Sequence, residues 1–157
     1  MTYPYLSQWN NQRDPSSSCV LTCLAMGLSE GLTKPLITPD DLWLAAKQRR
    51  WDRLAPETVD RLSILYQRPY RFRKNLTFVD LTPGSILYGG WTPGGHCVLL
   101  LNSIDNDLIY HDPLGRFDNA KSEKYDFNSS GERVRVISKA AIKFIGNDGE
   151  IWGHLPI

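Results

Sequence analysis

No stretch of this chain approaches the roughly 18 consecutive apolar residues that a membrane-spanning helix needs. Its first residues, Met1-Thr2-Tyr3-Pro4-Tyr5, lack the basic and apolar regions of a signal peptide. Cysteine is scarce: three residues, an odd count with no paired framework, which argues against a disulfide scaffold. Together these absences predict a protein made and kept in a reducing cytosol. An excess of one charge is missing too. Eighteen basic residues face seventeen acidic ones, for a formal charge of +1. That balance predicts no nucleic-acid partner and no membrane partner. There is no internal repeat and no linker. The 157 residues are therefore expected to form a single domain, 1–157, long enough to bury a core and acting as a monomer.

What is present falls into two halves. Residues 1–18 are loop-like, broken by Pro4, Asn10, Asn11, Asp14 and Pro15. Apolar residues then recur at helical spacing through Val20, Leu21, Leu24, Ala25 and Leu28, predicting a helix from Cys19 to Glu30. Ser17 or Ser18 is placed to cap it, Gly27 to weaken it and Gly31 to stop it. A second helix is expected from the cap Thr38 and Pro39-Asp40-Asp41 to about Arg50. A third is expected from Pro56 to Gln67.

Strand patterns dominate thereafter. Tyr70–Arg73, Ser85–Tyr88, His96–Ile104, Asp107–Asp112, Arg133–Ile137 and Glu150–Leu155 are the candidates. Thr77–Leu81 and Ser138–Ile142 suit helical turns, and 115–132 suits a long polar surface segment. Asp105-Asn106 is turn chemistry that joins two of the strands into a hairpin. A two-residue turn there pairs Leu99 with Asp112, subject to any bulge. Helices first and antiparallel strands second describe an α+β domain, with N-terminal helices packed on a C-terminal antiparallel sheet.

The chemistry centres on Cys19. A cysteine opening a helix meets the partial positive charge of the helix start, which favours the thiolate. A thiolate nucleophile also needs a base, a group to orient that base, and donors for an oxyanion. His96, which opens a strand after a glycine-rich loop, is the candidate base. The hairpin returns Asp112 to the same end, as the candidate orienter. Gln8 and the N–H of Cys19 are the candidate oxyanion donors. Trp91, Gly94 and Gly95 lie in the loop before His96 and are candidates to flank a substrate cleft. His111 is a rival base, but neighbouring strand residues face opposite ways. Asp112 before Pro113 also suits a turn, and His154 suits a structural or surface role. Cys19, Cys23, His96 and Cys97 have poor spacing for zinc, so no metal or other cofactor is expected, and Cys23 and Cys97 are expected as buried small residues.

Three blocks carry a resemblance. Tyr5-Leu6-Ser7-Gln8 followed by Ser18-Cys19-Val20-Leu21-Thr22-Cys23-Leu24-Ala25-Met26 resembles the N-terminal block of the C39-like (papain-like) cysteine peptidases. Gly94-Gly95-His96-Cys97-Val98 is similar to their histidine block, and Asp107 to Gly115 to their Asp-Pro-x-Gly block. The resemblance implies a papain-like fold and a cysteine peptidase or amidase working through an acyl-enzyme. Cys19 would be nucleophile, His96 general base and acid, Asp112 orienter and Gln8 oxyanion donor. Its substrate would be a peptide or a peptidoglycan peptide, as for a phage-type lysin or an intracellular processing protease. Val20 stands where bacteriocin-processing members carry glycine, so their leader specificity does not transfer. An inactive binding module and a transamidase on the same scaffold are the alternatives.

Overall fold

The computed structural model describes residues 2–8, 11–89, 96–114, 124–127, 133–142 and 150–157. Three helices precede the sheet: α1 (Cys19–Leu28), α2 (Pro39–Gln48) and α3 (Pro56–Leu65). Seven strands follow: β1 (Tyr70–Leu76), β2 (Ile86–Gly89), β3 (His96–Ile104), β4 (Asp107–His111), β5 (Lys124–Phe127), β6 (Arg133–Ser138) and β7 (Ile151–Pro156). They form one sheet in the order β1-β7-β2-β3-β4-β6-β5, with every pairing antiparallel. The fold is α+β, as the order of patterns predicts. Among the described residues no helix is long and apolar enough to cross a membrane.

α1 is the central helix. Every residue from Val20 to Leu28 is buried, beyond the stripe its apolar spacing predicts. Such a helix is held by packing on all sides rather than along one face. It lies against β2 and β3, and joins Leu42 and Ala46 of α2, Val59 and Leu62 of α3, and Ile86 and Leu99 of the sheet in one apolar cluster. Each fully buried leucine there contributes roughly 1.5–3 kcal/mol. A second cluster, with Leu87, Val98, Leu100, Leu108 and Tyr110, occupies the opposite face of the sheet. Consecutive residues of β3 alternate between the two clusters, which explains the unbroken apolar run from Cys97 to Leu100.

Local chemistry accounts for most boundaries. Thr38 and Asp41 form the expected reciprocal cap at the start of α2. Gly31 has φ 77° beyond the end of α1, the left-handed conformation expected of a helix stop. α2 and α3 end sooner than expected because Arg50 (φ 57°) and Gln67 (φ 58°) adopt that same conformation without being glycine. Gly27 does more than weaken its helix. A Cβ there would collide with the hydroxyl of Tyr70, which donates to the carbonyl of Gly84 at 2.8 Å.

Two expectations are corrected, and one segment gains a strand. The long polar segment expected over 115–132 holds a strand that the sequence reading does not name: β5, where Lys124, Tyr125, Asp126 and Phe127 alternate polar with aromatic and pair with β6. Neither Ser17 nor Ser18 caps α1. The Ser18 hydroxyl instead donates to the Pro15 carbonyl at 3.2 Å and accepts from the Asn11 amide at 2.8 Å. In the β3–β4 hairpin, Ile104 pairs with Asp107, but a bulge between Leu100 and Asn102 shifts the register, so that Leu99 pairs with His111 rather than Asp112.

Candidate active site

That bulge builds the site. Without it Asp112 would stand opposite Leu99, three residues from His96 and therefore on the other face of the sheet. With it the register extends to place Asp112 opposite Val98, two residues from His96 and on its face. His96 Nε2 and Asp112 Oδ1 are 2.6 Å apart, and both side chains are nearly inaccessible, at 5% and 1% exposure. The carboxylate has further partners. Oδ1 accepts the Leu114 N–H at 2.9 Å, and Oδ2 lies 3.4 Å from Nη1 of the buried Arg135 on β6. The hydroxyl of Tyr5 donates to the Asp112 main-chain carbonyl at 3.0 Å. The carboxylate is thus fixed by its own turn and by a cation, and its backbone by the N-terminal loop.

Cys19 is half-buried at the first position of α1, while Cys23 and Cys97 are buried. Five influences act on its thiol. A hydrogen bond with the Cys97 thiol favours the thiolate most, burial opposes it, and a hydrogen bond with His96 and the charge of its ring favour it again. The net effect holds the Cys19 thiol well below the ordinary range, with the Cys97 N–H adding to it. Cys97 moves the other way: burial, then its bond to Cys19, pushes it well up, so it stays a thiol and a donor. Burial likewise pushes Cys23 well up. For His96, burial favours the neutral ring, but the bonds to Asp112 and Cys19 outweigh it and raise the imidazole from 6.5 to about 9. With Nε2 engaged by Asp112, Nδ1 is the ring nitrogen left for the thiol. Each group thus favours the charged form of the other: the His96 ring favours the Cys19 thiolate, and Cys19 favours the imidazolium.

Gln8 is buried and ties the two halves of the chain together. Its N–H donates to the Pro113 carbonyl at 2.7 Å, and its side-chain amide donates to the Pro15 carbonyl at 2.8 Å. One of its two amide hydrogens is therefore committed to holding the loop before Cys19. No side chain caps α1, so the N–H groups at its start have no side-chain acceptor. Trp91, Gly94 and Gly95 lie outside the described residues.

The remaining histidines are occupied elsewhere. His111 Nε2 lies 3.1 Å from the Tyr3 carbonyl, with its ring edge-on to Tyr5. His154 is fully buried, between the Tyr88 hydroxyl at 2.7 Å and Asp60 at 2.8 Å, so its role is structural rather than superficial. Among the described residues no group of three His, Cys, Asp or Glu is placed to hold a metal ion. Two contributors escaped sequence reasoning. Arg135 shows only as a basic residue within the alternating run Val134-Arg135-Val136, and Cys97 shows only as a small residue beside His96. No protein-family model matches this chain, and no curated protein matches it in sequence.

Proposed function

We propose that this protein is a thiol hydrolase of papain-like design that cleaves peptide or amide bonds through an acyl-enzyme on Cys19. The observation that carries the reading is the 2.6 Å His96–Asp112 pair beside a half-exposed cysteine at an uncapped helix start. The Cys19 thiolate attacks the carbonyl carbon of the scissile bond. The negative charge passes to the carbonyl oxygen, where the Cys19 N–H and the remaining Gln8 amide hydrogen can meet it. The His96 imidazolium then protonates the leaving nitrogen, and the C–N bond breaks to leave a thioester. Neutral His96 next takes a proton from water, whose oxygen displaces the thiolate and releases the acid. Asp112 keeps the ring oriented throughout. Peptides, including peptidoglycan peptides, are the proposed substrates.

The test is hydrolysis of a mixed peptide library and of purified peptidoglycan by the wild type and by Cys19→Ala. Turnover is expected from the wild type alone, with identical circular dichroism for both proteins. Equal turnover by Cys19→Ala would move the chemistry to another site, and no turnover of any substrate by the wild type would favour a binding module.

A further inference from the structure

A cleft of about 490 Å³ opens at the C-terminal end of α2 and the turn leading to α3, lined by Trp43, Lys47, Arg50, Trp51, Asp52 and Arg53. Its size is that of a small-ligand or side-chain site. Its walls are aromatic and its rim is cationic. Lys47 Nζ sits 4.9 Å from the centre of the Trp43 ring and the Arg13 guanidinium 5.2 Å from it. Arg49 and Arg61 each lie 5.6 Å from the centre of the Trp51 ring. Such contacts hold long cationic side chains in place before any ligand arrives.

The acids beside the cleft are already engaged. Asp14 Oδ2 takes the Trp43 indole N–H at 3.1 Å and the Arg53 guanidinium at 3.1 Å. Asp52 Oδ1 takes the Leu54 N–H at 2.9 Å. Lys47 and Arg50 join no ion pair among the described residues. Six cations, Arg13, Lys47, Arg49, Arg50, Arg53 and Arg61, thus gather around two tryptophans. In the rest of the chain acidic residues outnumber basic ones. The cleft is also tied to the nucleophile. Arg53 Nη1 donates to the Ser17 carbonyl at 3.3 Å, two residues before Cys19, so the loop that delivers the thiol is braced by a residue of the cleft wall.

We propose that this cleft is a recognition subsite for an acidic side chain of the peptide substrate, with an apolar or aromatic neighbour laid against the tryptophans. The proposal rests on the peptide-hydrolase reading, since the cleft adjoins the loop that carries Cys19. A carboxylate is the anion peptides offer, and the unpaired charges of Lys47 and Arg50 are its complement. A nucleic-acid strand would need cations spaced along a track of phosphates, and here they surround a single cleft.

The test uses the Cys19→Ala protein, so that binding is read without turnover. Two acetylated, amidated tetrapeptides, Ala-Glu-Phe-Ala and Ala-Gln-Phe-Ala, are titrated calorimetrically at low salt. The Glu peptide is expected to bind at least tenfold more tightly, and added salt to narrow the gap. Lys47→Gln with Arg50→Gln, a mild pair at exposed positions, should abolish the preference. Equal affinities, no binding of the Glu peptide at millimolar concentration, an unchanged preference in the double variant, or tighter binding of a single-stranded oligonucleotide would each overturn it. The two readings fail separately. Selective binding by the Cys19→Ala protein combined with an inert wild type sinks only the hydrolase. Cleavage by the wild type without acidic preference sinks only the subsite.

Discussion

At the scale of single residues, the proposed hydrolysis would take its pH range from the proton shared by Cys19 and His96. Its acid limb is thiol ionisation, lowered chiefly by the Cys97 thiol and then by His96. Below that limb Cys19 carries its proton and cannot attack. The basic limb is loss of the imidazolium, raised to about 9, after which no acid remains for the leaving nitrogen. Hydrolysis should therefore hold a plateau from below the ordinary thiol range up to about pH 9 and fall on either side. Alkylation by iodoacetamide isolates the acid limb, since it needs only the thiolate. Cys97→Ala should move that limb upward and Cys97→Ser should largely restore it, the serine hydroxyl being a donor as well. An acid limb that stays put in Cys97→Ala would show that the neighbouring thiol does not tune Cys19.

At the scale of elements, helix–sheet contact is tight enough for one methyl group to matter. Gly27→Ala must displace the Tyr70 hydroxyl, which the Gly84 carbonyl holds in place. A cost of about 1–3 kcal/mol is expected from such overpacking. Gly31→Ala meets no atom within 4 Å and bears only its left-handed backbone, so about 1 kcal/mol is expected. Urea unfolding midpoints of the two variants check the order. These elements also show what a sequence discloses. The start of α2 was legible because Thr38, Pro39 and Asp41 act on their own neighbours. Cys19, His96, Asp112 and Gln8 were legible because each sits at a local break between loop and regular structure. The bulge between Leu100 and Asn102 was not legible, since Leu100, Leu101 and Asn102 include no glycine or proline to mark it. Nor was the part played by Arg135, which depends on β6 lying beside β4, a pairing set by the whole sheet. The strand β5 was hidden in a segment whose polar residues outweigh Tyr125 and Phe127.

At the scale of the whole molecule, the sheet order puts a late strand in an inner position. β7 joins β1 to β2, with Ile151, Gly153 and His154 buried. His154 also carries the bonds to Tyr88 and Asp60 that link β2 with α3. Deleting residues 151–157 exposes two strand edges at once and removes this link, costs beyond the marginal stability of a domain this size. The truncated chain should lack a cooperative thermal transition by circular dichroism. A sharp transition near that of the intact chain would show that β1 and β2 can close on each other.

The place of β7 also governs timing. During synthesis the helices, β1 and β2 emerge well before residues 151–156, and until those arrive β1 has no place in the sheet. α1 packs directly on β2 and β3, so the contact between the helix that carries Cys19 and the strand that carries His96 can form before β1 is enclosed by β7.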